Sequence, residues 1–260
     1  MTTLILSGNT SDFITCHSSL ILDPNKSYEA ALLSLDTYNS IPNISEGKNN
    51  IFSYSSDNGK TWKTITFFTG AYELTAINNE VERQMIANGD ASETPINITA
   101  NISRLTSIVN IKNPDYKVNF GVENSIGSVL GFGPVVIGYG YNESPNIVNI
   151  MQVNSIIVNI DIIMGSYIKG LPSPAIYSFY PNVGPGYKII ERPNPSLIYY
   201  PLSRHDISRI RVWLTDQDGN LIDLRGETIT VRISIREVKL RNVESEILKE
   251  IKNIKINYNI

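Results

Sequence analysis

Residues 228–235 alternate without a break. Ile229, Val231, Ile233 and Ile235 fall on one face, and Thr228, Thr230, Arg232 and Ser234 on the other. A period of two is the signature of a half-buried antiparallel strand, and it excludes a helix over the same residues. The same period recurs along the chain. Residues 3–7 read as a strand that stops at Gly8-Asn9, and residues 28–35 follow the turn Asp23-Pro24-Asn25 with Ala30, Leu32 and Leu35 directed inward. Residues 96–102 and 107–111 form a further pair, and 207–214 carry Ile207, Ile210, Val212 and Leu214. Shorter runs lie at 175–180, 187–190, 197–200 and 221–224. Residues 147–163 read as one long strand that changes phase between Val153 and Ile156, which predicts a bulge near Asn154-Ser155.

Helical spacing is confined to three places. Leu74, Ile77, Val81, Met85 and Ile86 make one stripe over 74–86, closed by Asn88-Gly89. Residues 125–130 have room for one or two turns, started by Ser125 and closed by Gly131. After Arg236 the period changes, and Val243, Ile247, Leu248, Ile251 and Ile254 form an amphipathic stripe with Glu and Lys on the other face. Roughly a dozen short strands with Gly, Pro and Asn turns, and no βαβ alternation, predict an all-β fold. The specific expectation is a Greek-key jelly-roll β-sandwich with one inserted helix and a short helical C-terminal tail. Residues 1–236 form a single jelly-roll domain with long loops and extra strands; residues 237–260 form the tail, a candidate partner-binding arm.

Composition narrows the function. Charged residues are 18% of 260, and 22 Lys and Arg against 25 Asp and Glu leave a net charge of −3. Polarity comes from Asn, Ser and Thr, as the near-neutral mean hydropathy of −0.09 requires. A disordered charged chain, a coiled coil and a polybasic coat for nucleic acid or membrane are thereby excluded. The start lacks the basic and long apolar stretches of a signal peptide, and the longest apolar run, 156–164, is too short to span a bilayer. Cys16 is the only cysteine, and His17 and His205 are the only histidines, so neither an intramolecular disulfide nor an ordinary zinc set can be assembled. Cys16 and His17 are adjacent on a strand and point to opposite faces, which argues against a nucleophile–base pair. No catalytic, cofactor-binding or metal residue is assigned.

Residues 55–62, Ser-Ser-Asp-Asn-Gly-Lys-Thr-Trp, match the Asp-box pattern S-x-D-x-G-x-T-W at every specified position. In sialidases and other propellers that motif stabilises a β-hairpin turn. Ser55, Asp57, Gly59 and Trp62 are therefore assigned to a structural hairpin, with Asn58-Gly59 at its tip. A sialidase would repeat the motif at regular spacing, whereas this chain has one copy. Asp216, Asp218, Asn220 and Asp223 resemble part of a calcium loop, but Gly219 is misplaced for one and both flanks are strands, so a hairpin turn is the better reading. Gly131, Gly133, Gly138 and Gly140 lack the spacing and flanks of a phosphate loop. Arg204, Arg209, Arg211, Arg225 and Arg232 lie near Tyr199, Tyr200 and Trp213, a conceivable nucleic-acid platform. Asp206, Asp216, Asp218, Asp223, Glu227 and Glu237 offset that charge, which favours a mixed ion-pair surface and no direct nucleic-acid contact. Fourteen tyrosines suit contact surfaces, since each adds area and keeps a hydroxyl.

Three segments, read in order, resemble the penton-like single-jelly-roll minor capsid proteins of Polinton/Maverick-type elements and adintoviruses. They are Phe68-Thr69-Gly70-Ala71-Tyr72-Glu73-Leu74, then residues 125–132 from Ser125 to Phe132, then residues 208–227 from Ser208 to Glu227. The resemblance implies a structural capsid subunit without catalytic residues. It would self-assemble as a homo-oligomer, a pentamer, and contact the major capsid protein, with no membrane and no cofactor. Its location would be the virion, after synthesis in the host cytoplasm and assembly in cytoplasm or nucleus. The readings from other classes are a major capsid protein of a related small virus or element, and a carbohydrate-binding, sialidase-like β protein carrying the Asp-box hairpin.

Overall fold

The computed structural model describes residues 1–90, 94–193 and 196–238. The amphipathic stripe Val243, Ile247, Leu248, Ile251 and Ile254 lies outside the described residues. Two sheets face each other across a shared core. The first holds β1 (Thr2–Gly8), β3 (Tyr28–Tyr38), β15 (Lys188–Glu191), β16 (Tyr200–Pro201) and β18 (Ile229–Glu237), in the order β1-β18-β3-β15, with β16 paired to the other end of β3. The second holds β2 (Asp12–Ile21), β11 (Ile156–Ile160), β14 (Ala175–Phe179) and β17 (Asp206–Thr215), in the order β14-β11-β17-β2. Counted along the chain, with β15 and β16 sharing one position, the sheets read 1-8-3-6 and 2-7-4-5. That is the jelly-roll order, and every pairing is antiparallel. The fold class read from the alternation is the class observed.

Inward residues of both sheets fill the space between them. Leu6, Leu32, Leu35, Val158, Ile160, Ile210, Val212, Leu214, Val231 and Ile233 are all at most 2% exposed. Each such side chain stabilises the fold by about 1.5–3 kcal/mol relative to exposure. Two breaks in the alternation coincide with register shifts. The step from Ile207 to Ile210 coincides with a register shift between Ile207 and Arg209 against β2. The step from Leu32 to Leu35 coincides with a shift between Arg232 and Ile233, where Leu33 is the extra residue of β3. A β-bulge restores the inward face after an odd step.

Residues 39–155, between the third and fourth sandwich strands, form a second group of sheets. β4 (Ile51–Ser55), β5 (Lys63–Thr66), β8 (Lys117–Asn119) and β9 (Val136–Ile137) lie in the order β5-β4-β8-β9. β6 (Ile96–Asn101), β7 (Thr106–Ile111) and β10 (Gly140–Glu143) lie in the order β10-β7-β6. Helix α1 (Leu74–Ala87) seals this group, burying Leu74, Ile77, Val81 and Met85 against Phe52, Tyr54, Ile65, Ile96 and Ile98. The short helix α2 (Gly127–Leu130) adds Val129 and Leu130. A separate hydrophobic cluster results, distinct from that of the sandwich. The hairpin β12 (Ser166–Ile168) and β13 (Leu171–Ser173) completes eighteen strands among the described residues, against the dozen read from the sequence. Several are two to four residues long, too short for alternation to register.

Some details depart from expectation. Residues 147–155 are not strand; β11 begins at Ile156, and its irregularity lies between Val158 and Asn159. The preceding segment is held from outside: Val148 N–H donates to Leu105, Asn149 N–H to Val129, and the Gln217 side chain accepts from Asn154 N–H. Ile86 is 51% exposed, because the residue after Met85 turns away from the buried stripe. Residues 221–224 make only an isolated bridge, Thr215 with Leu221.

Gly131 closes α2 at φ +81°, and a Cβ placed there would lie 2.3 Å from the Asn146 carbonyl oxygen. That carbonyl belongs to backbone and cannot swing aside. Gly131→Ala should therefore cost about 1–3 kcal/mol from strain at positive φ together with the clash. Urea denaturation reads this directly; an unchanged midpoint would show that Gly131 is not pressed against residue 146.

Candidate functional site

The Asp-box residues converge on one turn. β4 and β5 pair from Ile51↔Thr66 to Tyr54↔Lys63, and the connecting tip has Asn58 at φ 60° and Gly59 at φ 88°. Successive left-handed residues suit Asn-Gly. The Ser55 hydroxyl donates to Asp57 Oδ1 (2.8 Å) and accepts from Gly59 N–H (2.9 Å). Asp57 Oδ1 also accepts from Lys60 N–H (3.0 Å) and Thr61 N–H (2.8 Å), and Oδ2 accepts from the Thr61 hydroxyl (2.6 Å). The Thr61 hydroxyl foremost, then Thr61 N–H, Ser55 and Lys60, hold this carboxylate well below its usual range. Trp62 is 39% exposed, with its ring beside Gly59, where a Cβ would lie 3.7 Å away. The tip is tied down by Asn58 N–H, which donates to the Asp115 carbonyl (2.7 Å) ahead of β8. Every partner of Asp57 is a turn group, so its lone pairs are committed to holding the hairpin.

A second acidic centre lies beside this hairpin and was not signalled by any motif. The Asp90 side chain, 6% exposed, pairs with Lys63 and accepts from the Tyr54 hydroxyl and from Ser56 (3.3 Å). Its carbonyl accepts from the Tyr116 hydroxyl (2.6 Å), and Asn88 donates to Tyr54 (3.1 Å). Burial pushes the Asp90 carboxyl up, but Lys63, Tyr54 and Ser56 outweigh it, and the result lies below the usual value. Burial first, and the Asp90 bond second, push the Tyr54 hydroxyl up to about 12. The node joins the end of α1 to β4, β5 and the 116 loop, which sequence spacing cannot reveal.

The remaining sequence candidates are dispersed. Asp216 accepts from Asp218 N–H and Asn220 N–H (both 2.9 Å), so it caps its own turn. Among the described residues no group of three or more His, Cys, Asp or Glu side chains could hold a metal ion. No described helix is long and apolar enough to cross a membrane. Cys16 is exposed on β2, where it faces Arg209 of β17 in the pairing register. Among the described residues Arg204, Arg211 and Arg236 pair with carboxylates far away in sequence, whereas Arg209, Arg225 and Arg232 are in no ion pair. Arg211 makes a two-bond fork to Asp12 (2.8 and 2.6 Å) and lies over Trp213, Arg204 meets Asp161 (3.2 Å), and Arg236 meets Glu29 (2.6 Å) and lies over Tyr199. Of the acidic residues expected to offset the arginines, Glu237 instead pairs with Lys26 and Asp218 with Lys169 (3.9 Å), and among the described residues none pairs with an arginine.

Among the described residues the strand order is that of one jelly roll, with a second β unit between its third and fourth strands. The solved structures include a mavirus penton protein similar to it over 91% of this chain and 99% of that one, at 11% identity and a TM-score of 0.48. Two domains of the flagellar cap protein FliD from Escherichia coli align over 91% and 100%, at 12% identity and a TM-score of 0.17. No family model matches the sequence, and no curated protein matches it.

Because the folded state lowers the pKa of Asp57 and Asp90, their contribution to stability is present above the ordinary carboxylate range of about 4. It is lost as pH falls through their depressed folded values. Stability measured from pH 7 to pH 2 should drop below about pH 4. Asp90→Asn should cost about 1–3 kcal/mol at pH 7, since Lys63 and Tyr54 lose a charged partner, and should flatten part of that acid limb. An unshifted acid limb in the variant would remove Asp90 from the account.

Proposed function

We propose that this chain is a structural subunit of a viral capsid, a penton-like minor capsid protein that assembles with copies of itself into a pentamer and contacts a major capsid protein. The fold supports the reading: eight sandwich positions in jelly-roll order, with the outermost strands paired on one side only among the described residues. Jelly rolls recur in capsid and lectin domains, and a fold alone does not choose between them. The choice rests on the three segments that resemble penton-like capsid proteins. Two of them build α1 with its approach and α2 with its Gly131 cap; the third is β17 and the turn after it. The tight turn at Asp57 also supports an architectural use of the Asp-box over a sugar-binding one. In this reading the chain works by burying surface and performs no catalysis; its place is the virion.

Purified full-length chain should run in size-exclusion chromatography with light scattering at five times its 29.0 kDa mass. A trimer would instead point to a major capsid protein. Specific signals on a glycan array, from a chain that stays monomeric, would favour the carbohydrate-binding alternative.

A further inference from the structure

The two flanks of the sandwich differ in a way that suits one to the other. On one flank lie β1 and β2, each paired on one side only among the described residues, to β18 and β17 respectively. These strands contain no Lys, Arg, Glu or Pro, and their one Asp, Asp12, is engaged by Arg211. Soluble monomers guard such edges with charge, proline or a covering element, because unpaired backbone groups otherwise template association. Among the described residues no strand covers this edge, and Ile5, Ile14 and Ile21 are 62%, 52% and 77% exposed along it. The opposite flank, at β14 and β16, holds a groove of about 520 Å³ lined by Ile157, Tyr167, Tyr177, Ile198 and Tyr200 among others. Tyr167 and Ile198 on its rim are 69% and 60% exposed.

Charge at one end of each flank runs the same way, with Arg209 beside Cys16 and Glu191 beside Tyr177 as exceptions. Asp23 and Asp206, at the end of β2, are exposed and accept only from Asn25 and Ser19; neither is in an ion pair among the described residues. On the groove flank Lys188 and Arg192 are exposed and likewise without an ion pair among the described residues. Size is also adequate. A ten-residue edge strand is about 33 Å long, and two sheets about 10 Å apart with their outward side chains give roughly 20 Å of width. The flank thus offers on the order of 700 Å² per partner, close to the ~800 Å² of a standard stable interface.

We infer that the β1–β2 edge of one copy seats in the β14–β16 groove of the next. The contact is heterologous, and repeated around a closed rotation it makes a ring. This deepens the pentamer reading and rests on it. Cys16, the only cysteine, lies on the edge and reports its coverage.

The test uses full-length chain and two exposed-site variants, Ile14→Lys and Ile198→Lys, with light scattering, melting temperature and the rate of Cys16 alkylation by N-ethylmaleimide. Wild type should form rings whose Cys16 reacts at least tenfold more slowly than in either monomeric variant. Each variant alone should be monomeric, with the melting temperature of its monomer unchanged by circular dichroism. Mixed together, they should form one-to-one dimers, because each pair retains one intact edge and one intact groove. Rings that persist in both variants, or Cys16 that reacts equally fast in ring and monomer, would overturn the edge–groove contact while leaving ring assembly standing. Dimers of Ile198→Lys alone would show an edge-to-edge contact and overturn it as well. A wild type that stays monomeric would overturn both the contact and the pentamer.

Discussion

The sandwich depends on the seat of β18 between β1 and β3. Seven residues of β1 pair with it from Thr2↔Ile235 to Gly8↔Ile229, and β3 pairs with its other side from Thr230↔Asp36 to Glu237↔Tyr28. Without β18 the first sheet is split, because β1 and β3 do not touch as neighbours. The inward face of β18 also supplies the middle of the core. Ile229, Val231, Ile233 and Ile235 meet Leu6, Leu32 and Leu35 from the same sheet and Val158, Ile210 and Val212 from the other. Pairing of this kind joins residues more than 190 positions apart, so its entropy cost is large and the contacts return only when both sheets are in place.

The strands at the centre of both sheets were the easiest to read. β17 and β18 are ten and nine residues long, and over residues 210–214 and 229–235 their apolar residues recur at every second position, so the period of two is plain there. The jelly-roll class followed from them and from the absence of βαβ units. What could not be read were β8, β9, β10, β12 and β13, which offer two to four residues each, and the bulges, where an extra residue looks like a loss of phase. The segment 147–155 misled for a related reason. Val148 and Ile150 pack on one cluster and Val153 on the other, while Ile147 and Met151 are exposed. Alternation of burial then mimics a strand without any strand partner.

The hairpin was legible because every group that matters lies within eight residues. Ser55, Asp57 and Gly59 act on their own turn, and local hydrogen bonds leave a local motif. Asp90 was not legible. Its partners Lys63, Tyr54 and Ser56 lie 27 to 36 residues away, and only the packing of α1 brings them together. The same holds for Arg211 and Asp12, 199 residues apart, and for Arg236 with Glu29, 207 apart. Charge counting along a window predicts neutrality but cannot name the pairs.

The placement of residues 39–155 also sets an order of events during synthesis. All strand pairs of β4 to β10 are made within that stretch, so nothing later in the chain is needed to form them. On a ribosome, which releases chain N-terminal end first, this unit can assemble while β1, β2 and β3 still wait for β17 and β18. For that interval the nascent chain carries a finished satellite on an unfinished sandwich. The apolar strands most in need of protection from neighbouring nascent chains are therefore the first three to be made.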